Sequence, residues 1–471
     1  MKTCCSERCV KKPLLLLLTV GLALVPGGQM MGQTFNVLYS SEGTNGANPQ
    51  GVIASGNTVY GTANRGGSTG NGTVFKIRID GTGFEVLHHF VGGTNDGAVP
   101  FAGLILSGNT LYGTTFYGGN SGAGIVFAIS TDGTSFTNLH SFSGSDGRYP
   151  HAPVVLQSNR LYGTTEYGGL LDRGTVFGLN LDGTGFTLLH SFAGIDVQAQ
   201  TNKDGARPQA GLAISGNMLY GTTIQGGTSG YGTIFAVSTN GTDFTNLHSF
   251  TQNDGSDPVG GVSLSGKTIY GTTANGGGWG NGTVFALNTD GTGFRLLYSF
   301  DQFHQLLGPP YSTFNIGGAS PNYLILSGNK LYGTAYTGGY WNFGTVFELN
   351  TDGSGFQALY NFGATNTVGR YPNGLNLSGS TLYGTTEVGG IWANGTVFSL
   401  SLQLPQLAIV RSGADLLLSW PTDYIGYTLQ ATTNLVSQAW TTNLPAPVVV
   451  NGEYMVTIPI SGTQQFFRLT Q

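Results

Sequence analysis

Cysteine is absent from the chain after residue 9, since its three cysteines are Cys4, Cys5 and Cys9. Charge is scarce as well, because Asp, Glu, Lys and Arg together make up 9% of the sequence. The first 33 residues hold four of the 18 basic residues and one of the 23 acidic residues, which leaves 14 basic and 22 acidic residues beyond them. These shortages exclude a disulfide framework after residue 9. They also exclude the basic stripe that nucleic-acid binding requires, so we expect no nucleic-acid partner.

A hydrophobic run long enough to cross a bilayer is missing too. The apolar segment Leu14–Val25 is shorter than the roughly 20 residues that a spanning helix needs. Four basic residues precede it: Lys2, Arg8, Lys11 and Lys12. This arrangement predicts a secretory signal peptide over residues 1–33. We therefore expect an exported protein, extracellular or on the outer cell surface, whose mature chain has no transmembrane segment.

Glycine, by contrast, is abundant, with 79 residues that recur at fixed positions. Seven times a hydrophobic residue is followed by Tyr, Gly and Thr. The tyrosines are Tyr60, Tyr112, Tyr162, Tyr220, Tyr270, Tyr332 and Tyr383. A repeat of about fifty residues that has strand character throughout is typical of a β-propeller. The sequence thus predicts an all-β protein with seven propeller blades over residues 34–402.

One repeat, residues 103–142, shows how a blade is expected to form. Three strands are predicted at 103–107, 111–115 and 125–129, and a hairpin at Asp132-Gly133 leads to a fourth strand over 136–142. The last repeat, 374–400, has only three strands, whereas Phe35–Ser41 is a fourth-strand segment that precedes any complete repeat. We therefore predict that Phe35–Ser41 closes the propeller as the outer strand of the last blade.

The repeated aromatic residues are expected to serve packing rather than catalysis. The Tyr of each second strand and the Phe of each third strand should pack between neighbouring blades. The Gly after each Tyr should let an adjacent sheet approach closely.

The recurring pattern L-Y-G-T-T-x-x-G-G…G-T-V-F-x-L-N-T-D-G-T-x-F-x-x-L-H-S-F resembles the GloVer repeat of the choice-of-anchor tandem-repeat proteins over about residues 34–402. The blades are also similar to kelch blades. The resemblance implies an exported bacterial protein whose repeats precede a C-terminal attachment module, and it supplies no catalytic residues. Residues 405–471 predict a small β-sandwich seeded by Trp420, Leu429 and Trp440, and their motif resembles a fibronectin-type-III-like module.

Few residues in the repeats suggest chemistry. The predicted first strands of the blades, which line the channel of a propeller, contain no carboxylate, His, Lys or Arg, so an active site in the channel is not expected. His88, His140, His190 and His248 share one repeat position with three tyrosines, which favours packing over metal binding. Aspartates in the hairpins and in the D-G-x-x-P loops are interpreted as turn caps rather than calcium ligands. We expect no metal and no cofactor.

The loops on one face carry aromatic residues that differ from blade to blade. The candidate ligand-binding residues are Trp279, Trp341, Trp392, Tyr117, Tyr167 and Tyr340. The same rings could instead fold back and fill gaps over the blades, and the sequence leaves both alternatives open. Exposed aromatic rings next to Asn, Thr and a few carboxylates suit stacking against sugars.

Three functions remain open. The first is a secreted or cell-surface propeller that binds an extracellular partner, such as a polysaccharide or a cell-surface protein, through its loop face. The second is a secreted enzyme acting on glycans or peptides, which a cluster of Glu166, Asp172, Arg148 and His151 would favour. The third is a structural envelope protein with no small ligand.

Overall fold

The computed structural model describes residues 33–196, 198–301, 304–305, 313–363, 365–402, 406–421, 427–434, 440–460 and 465–470. The predicted signal peptide and the boundary near residue 405 lie outside these ranges, apart from residue 33. The described chain is all-β, with antiparallel sheets and one 3-10 turn, Asn366–Val368. No helix in it is long and apolar enough to cross a membrane.

Four-stranded sheets follow one another along the repeats, and we number them in chain order by their first strand. Sheet 1 comprises Ala47–Ser55, Thr58–Arg65, Thr73–Arg78 and Glu85–His89. Sheet 2 comprises Ile105–Ser107, Thr110–Thr115, Ile125–Ser130 and Phe136–Ser141. Sheet 3 comprises Val155–Gln157, Arg160–Thr165, Thr175–Asn180 and Thr187–Ser191. Sheet 4 comprises Ala213–Ser215, Met218–Thr223, Thr233–Ser238 and Thr245–Ser249.

Three further sheets complete the repeats. Sheet 5 comprises Val262–Ser265, Thr268–Thr273, Thr283–Asn288 and Arg295–Ser299. Sheet 6 comprises Thr313–Ser327, Lys330–Gly339, Thr345–Asn350 and Gln357–Asn361, with His304–Gln305 as a fifth strand. Sheet 7 comprises Arg370–Ser378, Thr381–Val388 and Thr396–Ser401, and its outer strand is Phe35–Ser40. The predicted pairing of the N-terminal strand with the last repeat is therefore confirmed, with Phe35 opposite Leu400.

Each sheet is joined to the next by a hydrogen bond in which a side chain donates to a main-chain carbonyl of a first strand or of the residues leading into it. The donor and acceptor residues are Thr62 and Ala102, Thr114 and Ala152, Thr164 and Ala210, Thr222 and Pro258, Ser263 and Leu324, Asn322 and Pro372, and Thr385 and Gln50. The last of these pairs joins sheet 7 to sheet 1. The sheets thus contact one another in chain order, and the last contacts the first.

Hydrophobic clusters lie between successive sheets, as the repeat pattern predicted. Tyr112 of sheet 2 belongs to one buried cluster with Leu161 and Phe177 of sheet 3. Tyr162 of sheet 3 packs in the same way with Phe235 of sheet 4. Burying a large apolar side chain stabilises the fold by roughly 1.5–3 kcal/mol. The repeated Tyr and Phe positions are therefore the scaffold of the sheet-to-sheet contacts.

The expected reason for the glycine after each tyrosine was wrong. Gly61 lies opposite Phe75 in the register of sheet 1, and a Cβ added to Gly61 would lie 2.5 Å from Cζ of Phe75. The glycine therefore leaves room for the phenylalanine ring of its own sheet. Close approach between two sheets occurs at the first strands, where a Cβ on Gly51 would lie 2.6 Å from Cα of Gly103.

The chain beyond the repeats forms two small sheets. One contains Ala408–Ser412, Asp415–Pro421, Glu453–Pro459 and Val448–Val450, in that spatial order, and the other pairs Thr428–Thr432 with Phe466–Thr470. Their core contains Trp420 and Leu429, as predicted. Trp440 is not among the residues of that core. Its half-buried ring instead lies 4.0 Å from the guanidinium carbon of Arg468.

Candidate functional site

Two sets of loops meet on one side of the sheets. The G-G loops join the second and third strands. Loops that end in proline, four of which read D-G-x-x-P, lead from each fourth strand to the next sheet. Isolated bridges pair the two sets, namely Arg148 with Tyr167, Ala206 with Gln225 and Ser256 with Asn275. A short ladder joins Gly97–Ala98 to Tyr117–Gly118 in the same way. The loops therefore form one continuous face, as the strand directions predicted.

The residue before the proline of the loop that enters each sheet has a left-handed backbone, although none of the seven is glycine. These residues, with φ between 54° and 61°, are Asn48, Val99, Tyr149, Arg207, Asp257, Ser320 and Tyr371. The following proline disfavours the right-handed helical conformation for them. Each donates its amide to a carbonyl of the preceding repeat, as Val99 does to Asn71 at 2.7 Å. The left-handed conformation is a steric outlier for a β-branched residue such as Val99.

On sheets 2 to 4 these loops bring several charged and aromatic side chains together. Arg148 forms a bidentate ion pair with Asp172, with Nε–Oδ1 and Nη2–Oδ2 distances of 2.9 and 2.6 Å. The guanidinium carbons of Arg148 and Arg207 lie 5.2 and 4.7 Å from the centre of the Tyr167 ring. Tyr149 packs edge to face against Tyr167 at 6.1 Å. We call these residues, together with Glu166, the Tyr167 cluster.

Glu166 is the buried carboxylate of this cluster, with 4% of its surface exposed. Arg207 donates two hydrogen bonds to its Oε1, and Gln209 donates a third at 2.8 Å. Glu166 is therefore suited to holding Arg207 and Gln209 in position.

His151 lies beside the Tyr167 cluster and stacks on Phe101 with the ring centres 4.8 Å apart. Burial lowers the pKa of its imidazole and so does the charge of Arg207, whereas Glu166 and the main chain of Gln209 oppose this shift. The net effect favours the neutral ring. A neutral imidazole can both donate and accept a hydrogen bond.

A pocket of about 560 Å³ opens next to His151. Its lining residues are Asn64, Arg65, Gly70, Val99, Phe101, Phe116, Tyr117, His151 and Glu166. We call it the Phe116 pocket. Phe116 is fixed by stacking on Tyr149 at 4.7 Å and by an edge contact with Tyr117 at 4.8 Å. The pocket combines aromatic walls with a few polar groups, which is the composition of small-ligand sites.

The structure divides the predicted site residues between two places. Tyr117 lines the Phe116 pocket with 45% of its surface exposed, and Tyr167 is half-buried at the centre of its cluster. Trp279, Trp341 and Trp392 instead lie at the second residue after the G-G pair in sheets 5, 6 and 7.

The tryptophans and the tyrosine next to one of them are exposed to different degrees. Trp279 and Trp392 are each 58% exposed, whereas Trp341 is 38% exposed and packs against Tyr340 at 5.2 Å. The G-G tips rest on fourth strands, as shown by the bond from the Gly278 amide to Ser299 Oγ at 3.0 Å. The three tryptophans are therefore separate from the Phe116 pocket.

Further aromatic residues of this face group on sheets 6 and 7. Tyr336 stacks on Tyr371 at 5.0 Å and donates its hydroxyl to Glu387. The guanidinium carbon of Arg370 lies 4.0 Å from the centre of the Phe343 ring. Since these rings cover one another, the gap-filling alternative describes them better than it describes Trp279 or Trp392.

The histidines at the repeated fourth-strand position stack on the next sheet, which confirms their packing role. His140 lies parallel to Phe186 at 4.0 Å, and its Nε2 lies 3.0 Å from Oδ2 of Asp146. The equivalent pairs are His88 with Asp96, His190 with Asp204 and His248 with Asp254. Within the described residues no three His, Cys, Asp or Glu side chains are grouped so that they could hold a metal ion.

The aspartates cap turns, as interpreted from the sequence. Asp132 Oδ1 accepts hydrogen bonds from the amide and the hydroxyl of Thr134 at 3.0 and 2.7 Å. Hydrogen bonds from Ser130 and Thr134 lower the pKa of Asp132 to about 2. In the D-G-x-x-P loops, Asp146 accepts the Ser143 amide at 2.8 Å in addition to His140.

A family model described as the Gloeobacter/Verrucomicrobia repeat matches residues 28–202 and 197–398. The chain belongs to this repeat family. The second matched range ends within the last strand of sheet 7, Thr396–Ser401, and the two ranges together include all the loops of this face. A search of curated proteins gave no match.

Solved structures similar to this repeat protein share little sequence with it. A chain of a nidogen/laminin complex is 14% identical, with 59% of this chain and 96% of that chain covered and a TM-score of 0.35. An oligogalacturonate lyase in complex with manganese is 9% identical, with coverages of 79% and 91% and a TM-score of 0.45. A Mycobacterium tuberculosis puromycin-hydrolyzing peptidase is 10% identical, with coverages of 82% and 61% and a TM-score of 0.46.

Sequence reasoning missed several residues of the site in this repeat protein. Asn64 and Arg65 of the pocket occupy the two positions that follow the Tyr-Gly-Thr-x phrase, where sheet 2 has Phe116 and Tyr117. Arg207 occupies the position before the loop proline. Aligning the repeats would have drawn attention to both positions, because the residue type changes there while the flanking residues stay the same.

Proposed function

We propose that this chain is a secreted or cell-surface protein that binds an extracellular polysaccharide through its loop face. In this proposal the seven sheets form a kelch-like, seven-bladed β-propeller over residues 34–402, closed by the N-terminal strand. Residues 405–471 form a small β-sandwich of the fibronectin-type-III-like kind, and residues 1–33 are the export signal. The closed set of contacts from sheet 1 to sheet 7 and back supports the propeller.

The Phe116 pocket is the observation that carries the proposed function. It brings one exposed tyrosine ring and half-buried phenylalanine and imidazole rings together with an amide, a guanidinium and a carboxylate. Sugar rings present apolar faces that stack on aromatic side chains and hydroxyl groups that need donors and acceptors. The pocket offers both, on loops whose backbones are fixed by hydrogen bonds to neighbouring repeats.

The tryptophans of the G-G loops provide further aromatic surface on the same face. Trp279, Trp341 and Trp392 lie on three consecutive sheets, and large exposed rings on a soluble surface commonly mark interaction sites. We propose that they contact further units of a long polysaccharide chain. One polysaccharide chain would then contact both the Phe116 pocket and the three tryptophan rings on the same surface.

A glycan array on residues 34–471 tests this function. We expect retention of one or more polysaccharides, a loss of at least about tenfold in affinity for Tyr117→Ala, and a smaller loss for the triple change of Trp279, Trp341 and Trp392 to Ala. Leu296→Ala is the matched control, because Leu296 is 44% exposed on a fourth strand, away from the loops. Retention unaffected by all four aromatic changes would overturn the aromatic-face proposal, and no retention of any glycan would overturn the function.

An enzyme acting on glycans or peptides is the second candidate, because Glu166, Asp172, Arg148 and His151 do meet at one part of the rim. Both carboxylates are held in ion pairs with arginines, which leaves His151 as the best general base. Release of new reducing ends or amino groups that is lost in His151→Ala would favour this candidate. A structural envelope role, the third candidate, would be favoured by the absence of both binding and turnover.

A further inference from the structure

The Phe116 pocket contains one side chain whose polar atom has no partner. Asn64 is 5% exposed, and its Oδ1 has no hydrogen-bond partner among the described residues. A buried polar atom without a partner is unfavourable for the folded protein. Asn64 lines the pocket, and although its Oδ1 is shielded from solvent, a rotation of the amide would let it bond to a ligand hydroxyl.

The carboxylates in and around the pocket have partners of opposite charge, whereas one guanidinium does not. The carboxylates of Glu166 and Asp172 are each paired with a guanidinium, from Arg207 and Arg148 respectively. Arg65, which is exposed and lines the same pocket, has no acidic side chain within ion-pair distance in the part of the chain that the structure describes. Among the residues that line the pocket, Arg65 is therefore a positive charge without an acidic partner.

A flat surface for a sugar ring lies next to these groups. Tyr117 is 45% exposed, and its ring is fixed by edge contacts with Phe116 and Tyr149 at 4.8 and 5.3 Å. A fixed ring loses little conformational freedom when a ligand stacks on it. The arrangement thus offers a stacking surface, a guanidinium and an unsatisfied amide within one pocket.

We propose that the Phe116 pocket binds an acidic sugar residue, with its ring against Tyr117, its anionic group on Arg65 and a hydroxyl on Asn64. This inference rests on the proposed polysaccharide binding and specifies the class of sugar. A carboxylate and a sulfate share the required chemistry, since both spread a negative charge over two or more oxygens that accept charge-assisted bonds from a guanidinium. The two sources are distinguished by the choice of probes.

Calorimetric titration of residues 34–471 tests the inference with four probes. They are a glucuronate-containing oligosaccharide, its methyl ester, a sulfated dextran oligosaccharide and the unsulfated dextran oligosaccharide. We expect an acidic probe to bind at least about tenfold more tightly than its neutral counterpart, since charge-assisted hydrogen bonds are stronger than those between neutral groups. The preference should weaken as the salt concentration rises.

Variants assign that preference to the pocket. Arg65→Met should lower the affinity for the acidic probe at least about tenfold and leave the affinity for neutral dextran unchanged, and Arg65→Lys should restore part of the loss. The matched control is Arg78→Met, an exposed arginine of the same sheet, which should stay within about twofold. Asn64→Leu should reduce the affinity for the acidic probe and for its ester alike, because it removes a hydroxyl contact.

The outcomes separate the two proposals. Equal affinity for the acid and its ester, and for sulfated and plain dextran, overturns the acidic-sugar inference while a positive glycan array keeps the binding function. An acidic preference that survives Arg65→Met also overturns it, because the charge would then lie elsewhere. If no glycan binds in either assay, both proposals fail. Unchanged melting temperatures of the variants show that the losses come from the site and not from unfolding.

Discussion

Sheets 1 to 4 and sheets 5 to 7 solve the same packing problem with different residues. At the fourth-strand position that stacks on the next sheet, the first group has histidine and the second has tyrosine, and both kinds of ring lie nearly parallel to a phenylalanine at 3.7–4.0 Å. Each histidine is bound to a loop aspartate. The tyrosine sheets have Asn45, Gly317 and Val368 where that aspartate would be.

The difference follows from the polar atom that each ring must satisfy. An imidazole carries two ring nitrogens, and a half-buried N–H needs an acceptor. A phenol places its single hydroxyl at the edge of the contact and stays neutral; burial raises the pKa of Tyr360 to about 12. The aspartate therefore serves the histidine in addition to the loop amides that it accepts. The same division separates the exposed tryptophans, all on sheets 5 to 7, from the Phe116 pocket, on sheets 1 to 3.

The largest effect on stability should come from the N-terminal strand Phe35–Ser40, because this one strand contributes a ring to two of the tyrosine contacts. Phe35 stacks on Tyr360 of sheet 6 at 3.9 Å, and Tyr39 stacks on Phe84 of sheet 1 at 3.7 Å. Deleting residues 34–41 removes both contacts and a strand pairing. We expect the melting temperature to fall by roughly 10 °C or more, from the loss of about 5 kcal/mol.

Differential scanning calorimetry measures this fall, and Phe35→Ala with Tyr39→Ala serves as the milder version. Asn36→Ala, at an exposed position of the same strand, is the control and should change the melting temperature little. If the deletion variant had the same melting temperature as the intact protein, the N-terminal strand would contribute nothing to closure.

An intermediate effect on the free energy of unfolding should appear when a histidine contact is removed, and replacing it by a tyrosine contact should reverse most of that effect. His140→Ala loses the stack on Phe186 and a hydrogen bond to Asp146, which together should lower the free energy of unfolding by about 1–3 kcal/mol. His140→Tyr keeps the stack, and in combination with Asp146→Asn it should recover most of that loss. Urea unfolding of the three variants measures the differences. If His140→Tyr with Asp146→Asn is no better than His140→Ala, the two kinds of contact are not interchangeable.

The smallest effect concerns stability in acid, and of the two kinds of ring contact only the histidine contacts should show it. Burial raises the pKa of Asp146 and of Asp254, but hydrogen bonds from His140 and His248 and from loop groups outweigh it, so that both pKa values lie below the ordinary 3.8. A pKa that is lower in the folded state gives stability that is complete above the unfolded value and is lost as the pH falls through the folded value. The stability from these carboxylates should therefore decline below about pH 4.

Urea unfolding from pH 6 down to pH 2.5 tests this expectation. Asp146→Asn combined with Asp254→Asn should flatten the acid limb of the stability curve, whereas Asp243→Asn, at an exposed hairpin position, should leave it unchanged. An acid limb that is the same in all three proteins would show that these pairs carry no pH-dependent stability.

Repetition explains how much of this was predictable from the sequence. The strands, their order, the role of Phe35–Ser41 and the packing of the histidines all follow from residues that recur at fixed positions. The pocket does not recur, because Asn64, Phe116 and Glu166 occupy one repeat position in three different sheets. Only the approach of those sheets in space brings the three side chains together. The predicted tryptophans were placed on the correct face but not in the pocket, since the distance of a G-G tip from the pocket is set by the fold.

The two residues after each G-G pair range from Ser68-Thr69 to Tyr340-Trp341 and Ile391-Trp392. They can vary this widely because the turn is fixed by the glycines and by bonds to the fourth strand, and the varying side chains contribute little to the core. A mutation there can change what the surface touches without a cost in folding. Gene duplication of the repeat therefore yields copies whose tips are free to diverge one at a time, and the same tips are suitable sites for building combinatorial libraries on this protein.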